Sequence, residues 1–243
     1  MFLFNIQNVN ASEIQNRLQA YPNYQNKPSV KVAKRDLIYP QWMEGRWNVE
    51  NTLLDMVAPF APEVITPGFE GNREYLNQAI NFQVQFVPQI LTSSKVYPLP
   101  TLITNKKAIV ADRTFNGREI AIAYLGKDNI TSVKVDPQNP NRQITIFKDN
   151  QKLISTVTQR LTQTPSEDHF LTTEITQQLF RGKSRIYLNE VETTTDYHYL
   201  NSSDIEADQI TAIYLSAQDP DYFKVKNTPV ALYRYRLKLS LIK

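Results

Sequence analysis

The two histidines of this 243-residue chain each have an aspartate close by in the sequence. His169 follows Asp168 directly, and His198 follows Asp196 by two positions. A carboxylate beside an imidazole can hold the ring as a general base, so this pairing is compatible with acid-base catalysis. Because such neighbours are frequent without any catalytic role, we expect ordinary turn or strand residues at both positions.

A row of polar residues leads up to His198 at two-residue spacing, which places its members on one face of a strand. The row consists of Glu190, Glu192, Thr194, Asp196 and His198. Three acids with a histidine could form a metal or acid-base site, but a solvated outer face is the more common arrangement, and we predict no metal site. If the row faced inward, Arg234, Arg236 and Lys238 would be its natural counter-ions.

Tyrosines are concentrated in the C-terminal half of the chain. Each offers a flat apolar wall with one hydroxyl, so together they could line a semi-polar cavity for a pigment, a quinone or a lipid head group. The alternative, which we favour, is that they pair across strands as good sheet formers. These tyrosines are Tyr187, Tyr197, Tyr199, Tyr214, Tyr222, Tyr233 and Tyr235.

The short signatures of common enzyme classes are absent. The chain has six glycines and no cysteine, and it contains no dinucleotide-binding, phosphate-loop, nucleophile-elbow or zinc-protease pattern. We therefore assign no catalytic residue, leave the identity of any cofactor open, and favour a non-catalytic protein. The enzymatic alternative is a lyase or isomerase acting on a held chromophore, which would need Glu174, Glu190 or Arg234 to face one another inside the fold.

Charge and hydropathy argue against nucleic-acid binding and against a membrane-spanning helix. With 27 basic and 24 acidic residues the net charge is only +3, and no dense basic stripe is present, so nucleic acid is not an expected partner. No segment approaches the roughly 20 consecutive apolar residues of a membrane-spanning helix, and we expect a protein that is not transmembrane.

The elements that would position these residues are mainly strands. Beyond Pro40 apolar and polar residues alternate with a period of two, beginning with Trp47, Val49 and Leu53. Further strand-like runs with turn signals between them predict an antiparallel meander. One short helix, from about Asn116 to Leu125, interrupts the series and ends at Gly126. The runs cover 80–90, 108–111, 130–135, 143–148, 152–162, 170–180, 185–200, 209–217 and 230–242.

Residues 1–39 have a different character from the meander. An apolar opening at 1–6 is compatible with the stub of an export signal or with a frayed terminus. Ser12 is a candidate cap for a short helix that ends near Ala20. Prolines and asparagines at 21–39 predict an extended arm that wraps the rest. We therefore divide the chain into an N-terminal region, 1–39, and a single β-barrel domain, 40–243.

The first strand is followed by a long loop, 57–75, that is too apolar to be fully solvated. We predict that Phe60, Val64, Ile65 and Phe69 in this loop contact either a ligand or a partner protein. In the first case the loop is a lid over a barrel cavity, and in the second it is an exposed apolar patch.

The two ends of the meander carry residues that are typical of small closed barrels. Gly45-Arg46-Trp47 opens the first strand, and Arg234 and Arg236 lie in the last. This arrangement resembles the calycin group, which comprises lipocalins and fatty-acid-binding proteins. The resemblance implies an up-and-down β-barrel whose first and last strands pair, with Trp47 at the floor covered by an arginine. The further short motifs that lipocalins show later in the barrel are absent.

A second resemblance rests on three segments, YPQWMEGRW at 39–47, VAPFAPE at 57–63 and PGFEGNR at 67–73. They are similar to an uncharacterised family of cyanobacteria and plastids, many of whose members are thought to be directed to the thylakoid lumen. The resemblance implies the thylakoid lumen or the periplasm as location, a photosynthetic setting, and no particular chemistry.

Together these features predict a non-catalytic, lipocalin-like protein. Its expected role is the assembly or maintenance of a thylakoid membrane complex, whose subunits it would contact through the apolar loop. The alternative is a carrier that holds a small apolar or amphipathic ligand, such as a pigment, quinone or lipid, inside the barrel.

Overall fold

A computed structural model describes residues 13–91, 106–183 and 186–242. The apolar opening at 1–6, the cap at Ser12 and the predicted strand start at Arg185 lie outside these residues. The described strands are β1 (Lys31–Val32), β2 (Gly45–Val57), β3 (Ala79–Leu91), β4 (Lys106–Ala111), β5 (Ile130–Asp136), β6 (Asn139–Phe147), β7 (Lys152–Ser166), β8 (His169–Arg181), β9 (Ile186–Asn201), β10 (Asp204–Leu215) and β11 (Ala231–Leu241).

The described helices are α1 (Glu13–Gln19), α2 (Arg113–Leu125) and the single turn α3 (Tyr222–Val225). Short 3₁₀ turns cover Gln41–Met43, Glu70–Tyr75, Lys127–Asn129 and Lys148–Asn150. None of the helices in the described ranges combines the length and the apolar character that crossing a bilayer requires. The sequence predicted α1 and α2 but not α3.

The strands form one antiparallel sheet in the order β4-β3-β2-β11-β10-β9-β8-β7-β6-β5, with β1 added to β7. The first long strand pairs with the last, since Trp47 lies opposite Leu241 and Val49 opposite Leu239. This pairing confirms the predicted contact between the two ends of the meander. The fold is mainly antiparallel all-β, and the curled sheet is lipocalin-like as expected from the sequence.

Strand β2 shows why the sheet curls around a core. Its inward residues Trp47, Val49 and Leu53 are buried, whereas Arg46 and Glu50 on the other face are exposed. This strict alternation is the period-two pattern of a strand with one face in the core. Trp47 and Val49 join a cluster with side chains of β3, β4, β10 and β11, and Leu53 joins a second cluster with residues of β11, so burial of β2 holds the two halves of the sheet together.

The predicted arginine cover over Trp47 is wrong. Arg234 and Arg236 lie on the exposed outer face of β11, and Arg234 is opposite Asp55. The end of the strand is closed instead by Leu241, whose Cδ1 atom lies 2.8 Å from where a Cβ on Gly45 would stand. Gly45 also has φ +132°, a conformation that side-chain-bearing residues rarely adopt. Glycine is required here because both space and backbone exclude a larger residue.

Helix α2 lies between the two edge strands β4 and β5, which do not pair with each other. It packs on β3 and β5 and so closes the curled sheet where hydrogen bonds between strands are missing. The helix begins three residues before its predicted start, because Asp112 is the cap and accepts a 3.0 Å hydrogen bond from the Phe115 N–H. Asn116, predicted to be the cap, serves another purpose described below.

The N-terminal segment covers the outer face of the sheet, as the predicted arm does. Ile14 of α1 is 1% exposed, and Tyr24 packs on Ile210 and Tyr214, which point outward from β10. This part of the outer face is therefore buried. An ion pair between Arg17 of α1 and Glu192 of β9, with Nη2 and Oε2 2.7 Å apart, holds the segment against the sheet.

The loop between β2 and β3 packs into the end of the barrel. Val64 and Phe69 are buried, Phe60 is half-buried, and only Ile65 of the four predicted contact residues is exposed. Phe69 packs on Tyr233, and Val64 joins a cluster with residues of β10 and α3. The predicted exposed apolar patch is wrong, because most of these side chains bury their surface within the protein's own core.

Candidate ligand-binding cavity

The interior of the curled sheet holds a cavity of about 360 Å³ beside helix α2. Its apolar wall comes from β2, β3 and β11, with Val49, Val84 and Leu237 among the lining residues. Its polar groups come from β2, from α2 and from β9 to β11. They include Asn51, Asn116, Tyr124, Tyr197, Gln209 and Tyr235. An apolar wall with a few convergent polar groups is the usual composition of a small-molecule site.

A second compartment, of about 490 Å³, lies on the other side of α2. Tyr39, Asn116, Ile120 and Tyr124 line both spaces, so the helix forms a shared wall between them. The second compartment is bounded by β6, β7 and β8 and includes Glu174 among its lining residues. The interior is therefore apolar toward β2 and β3 and charged toward β8.

Asn51 is the least expected residue of the apolar wall. It lies on the inward face of β2 between Val49 and Leu53 and is 6% exposed. Its Nδ2 atom donates a 2.8 Å hydrogen bond to the hydroxyl of Tyr124. Its Oδ1 atom is buried and has no hydrogen-bond partner within the described ranges. A buried acceptor without a partner costs about 1–3 kcal/mol, so it calls for an explanation.

Buried tyrosines keep the cavity free of phenolate charge. Burial raises the pKa of Tyr197 to about 12, and burial likewise raises the pKa values of Tyr39, Tyr124 and Tyr235. All four hydroxyls therefore keep their protons at neutral pH. Each can donate one hydrogen bond to a carbonyl or ether oxygen of a ligand.

The charged end of the interior is an internally paired cluster. Arg160 Nη2 lies 2.6 Å from Glu174 Oε1, and Arg113 Nη2 lies 3.6 Å from the same atom. Arg113 Nε also donates to Asp36 of the arm at 2.9 Å. Burial lowers the pKa of Arg113, but the charges of Glu174 and Asp36 outweigh it, and the pKa is raised. Two guanidinium groups and two carboxylates thus balance one another.

Asn116 attaches α2 to the edge of the sheet. Its Oδ1 accepts from the Gln85 N–H at 2.6 Å, and its Nδ2 donates to the Gln85 carbonyl at 3.1 Å. The side-chain amide thus copies the two hydrogen bonds that a neighbouring strand residue would make. The helix is held at its N-terminal turns by this contact and by the Asp112 cap.

The rest of α2 is loosely packed. None of its residues is fully buried, and Ile120, in the wall between the compartments, is 38% exposed. Elements with few buried side chains are among the first to open locally, so we expect the interior to open at α2. Helix α2, and not the loop 57–75, lies over the cavity. Of the described residues in that loop none lines either compartment, and Tyr75 reaches only the ring of Tyr124, at 5.9 Å.

The acidic row of β9 faces outward but is only partly solvated. Glu192 is 0% exposed and is bound by Arg17 and Tyr214, while Glu190 pairs with Lys27. The counter-ions named for an inward-facing row therefore do not apply, and the cations that pair with these glutamates come from α1 and the arm. The set Glu174, Glu190 and Arg234 also does not converge, since Glu174 points into the barrel and the other two point away from it.

Of the seven tyrosines that the sequence named as candidate cavity residues, Tyr197 and Tyr235 line the cavity and the other five do not. The sequence analysis missed Tyr39, Asn51, Asn116 and Tyr124. For Asn51 a signal was present, namely one amide in an otherwise apolar face of β2. For the others no local pattern distinguishes a residue that lines a cavity from one that packs in a core.

Comparisons with known proteins place the chain in a family. No curated protein matches it, and neither does any solved structure. A family model described as "Domain of unknown function (DUF6816)" matches residues 31–243, which include every strand of the sheet. The chain with this curled sheet, its helical closure and its interior cavity therefore belongs to the DUF6816 family.

Proposed function

We propose that the protein binds one small, uncharged, amphipathic molecule, such as a pigment, quinone or lipid, in the cavity beside α2. The observation that carries this proposal is the Oδ1 atom of Asn51, a buried acceptor that has no partner in the described part of the chain. It lies in a wall of apolar residues within a space of about 360 Å³. A hydroxyl or amide N–H of a ligand would satisfy it.

The chemistry of the lining defines the ligand further. A space of about 360 Å³ falls at the lower end of the range of about 300–1,000 Å³ for small-molecule sites. The protonated tyrosines donate to oxygen atoms, and the apolar wall favours a ring or a hydrocarbon chain. The arginines near Glu174 are already paired. These features support an uncharged ligand and not a phosphate or carboxylate.

The test measures binding of the neutral fluorophore N-phenyl-1-naphthylamine to the purified full chain. We expect one site and at least about a tenfold loss of affinity in Ile120→Trp, whose indole would fill the shared wall. Arg118→Trp is the matched control, because Arg118 lies on the exposed face of α2 and lines neither compartment. We expect Arg118→Trp to bind the fluorophore with an affinity within about twofold of that of the unsubstituted protein.

The natural ligand is sought in parallel. Protein purified from its native host is examined by absorbance, and its organic extract by mass spectrometry. We expect one apolar compound that is retained by the original protein and by Arg118→Trp and lost from Ile120→Trp. Absence of any compound, together with equal fluorophore binding by both variants, would refute the proposal.

The setting that we propose is the thylakoid lumen or the periplasm of a photosynthetic organism, and its support is the resemblance of segments 39–47, 57–63 and 67–73. Fractionation of the host with an antibody against the protein tests it. A role in assembling a membrane complex stays a prediction. The loop through which it was expected to act has Val64 and Phe69 buried, so such a role needs another surface.

A further inference from the structure

Two histidines and an aspartate meet on the outer face of the sheet, away from the cavity. His169 of β8 lies directly opposite His198 of β9, and Asp196 is two residues before His198 on the same face. The Nε2 atom of His169 is 2.5 Å from Asp196 Oδ1, and the Nε2 atom of His198 is 3.1 Å from the same oxygen. One potential ligand atom from each residue lies within 4.8 Å of the others.

The strand ladder holds this arrangement in advance. The two imidazole rings stack with centroids 4.2 Å apart and an angle of 22° between their planes. His169 and Asp196 are 13% and 17% exposed, so neighbouring side chains limit their rotation, whereas His198 is 51% exposed and leaves a path from solvent. Little conformational entropy is therefore lost when the three side chains bind a common ligand.

We infer that His169, Asp196 and His198 form a binding site for a divalent late transition-metal ion of the zinc class. Imidazole nitrogen is the preferred protein ligand for Zn²⁺, Cu²⁺ and Ni²⁺, and one carboxylate completes a common three-ligand set. Around a tetrahedral Zn²⁺ the ligand atoms are about 3.3 Å apart. To bind one ion, the two stacked rings must turn so that both Nε2 lone pairs point at it, and the present 2.5 and 3.1 Å contacts with Asp196 lengthen to that spacing as they do. Water completes the coordination on the open side of His198.

The charges around the three residues favour a cation. Asp168, the neighbour of His169, is exposed and accepts a 2.5 Å hydrogen bond from the Ser166 hydroxyl. Asp208 and Glu206 of β10 lie opposite Asp196 and His198. The cations on this face are one strand further away, on β11, where Arg236 lies opposite Asp208, Lys238 lies opposite Glu206, and Arg234 is 3.7 Å from Asp208. The acidic groups of the β7–β8 turn and of β10 are therefore closer to the site than these cations are.

The sequence analysis predicted no metal site and did not bring the two histidines together. The row on β9 contained Asp196 and His198, but its other acids, Glu190 and Glu192, pair with Lys27 and Arg17. The second imidazole comes from β8, and only the register of the β8–β9 pair brings it beside Asp196. The site is independent of the cavity, so either proposal can fail without the other.

Isothermal titration of Zn²⁺ into the untagged full chain tests the inference. We expect one ion per chain. We also expect affinity to fall by at least about tenfold in His198→Gln and in Asp196→Asn. Glu206→Gln is the matched control, since it removes an acid opposite His198 that is not a ligand, and its affinity stays within about twofold. Mg²⁺, which prefers oxygen ligands, gives no comparable heat.

A spectroscopic measurement locates the ion. The Trp42 Nε1–H donates to the Glu167 carbonyl at 2.9 Å, and its ring packs on Tyr199. Glu167 and Tyr199 are close in sequence to His169 and His198, so bound Cu²⁺ should quench Trp42 fluorescence, and His198→Gln should abolish this quenching. The exposed position of His198 makes that variant a safe one for folding, which its melting curve verifies. No Zn²⁺ uptake, or uptake and quenching unchanged in His198→Gln, would overturn the inference.

Discussion

Asn51 occupies an inward position on β2 where the apolar pattern of the strand would favour valine or leucine. Its amide forms one hydrogen bond, to Tyr124, and its buried Oδ1 lacks a partner among the described residues. A residue that weakens the core in this way is typical of a site kept for binding and not for stability. The amide and the Tyr124 hydroxyl are the parts of the cavity that distinguish it from an ordinary core.

Replacing Asn51 by leucine tests this at the level of one side chain. We expect Asn51→Leu to raise the free energy of unfolding by about 1 kcal/mol, because it removes a buried acceptor without a partner. The same change should weaken binding of the neutral fluorophore several-fold. Urea unfolding and fluorescence titration measure the two effects. Asn48→Leu on the exposed outer face is the control, and a loss of stability in Asn51→Leu would contradict the argument.

The tyrosine hydroxyls give the protein a predictable response to alkali. Burial raises the pKa of Tyr197 to about 12, against about 10 in the unfolded chain. The folded state therefore binds this proton more tightly. Its contribution to stability is complete below about pH 10 and is lost as the pH rises toward 12.

We accordingly expect the free energy of unfolding to fall between pH 10 and pH 12, with a smaller fall in Tyr197→Phe. Urea unfolding at several pH values measures it. Absorbance titration at about 295 nm should show one fewer late-ionising tyrosine in the variant. An equal fall of the free energy of unfolding in the original protein and in Tyr197→Phe would show that Tyr197 does not keep its proton through burial.

At the level of elements, α1 and the arm behave as part of the sheet's outer layer. Arg17 donates to both carboxylate oxygens of Glu192, at 2.8 and 2.7 Å, and its guanidinium lies 3.5 Å from the ring centroid of Tyr24. Burial lowers the pKa of Arg17, but the hydrogen bonds and charge of Glu192 outweigh this, and the pKa is raised. The pair joins residues far apart in sequence and stays charged.

Removing the cation should be costly, because it leaves a carboxylate that is 0% exposed without its partner. We expect Arg17→Met to lower the free energy of unfolding by about 3–5 kcal/mol. Part of the loss should return in the double variant Arg17→Met with Glu192→Gln. Urea unfolding measures both. Arg73→Met, which breaks an exposed pair with Glu70, should have little effect, and an equal cost for both single variants would refute the role assigned to Arg17.

The same elements show what a sequence can and cannot reveal. The alternation in β2 and the turn at Asp149 and Asn150, both of which have positive φ, could be predicted because they depend on neighbouring residues. The cap Asp112 could also have been found, since it directly precedes the helix. The burial of Glu192 could not, because it depends on Arg17 and on the path of the arm.

At the level of the whole molecule, the predicted meander and the pairing of its two ends are present in the structure. The position of α2 was not predicted. The helix closes the sheet because β4 and β5 do not pair with each other. No pattern of apolar residues in the sequence predicts that these two strands stay unpaired. Helix α2 lines both interior compartments at the place where β4 and β5 do not pair, so the cavity borders a helix and not a further pair of strands.

Strand β11 joins two blocks of the sheet, β2 to β4 on one side and β5 to β10 on the other. Each block can form from nearby residues during synthesis, but they become one sheet only when the last described strand leaves the ribosome. The Trp47–Leu241 contact spans almost the whole described chain, and contacts of such separation form slowly. The two blocks should therefore stay separate, and the sheet incomplete, until β11 has been synthesised.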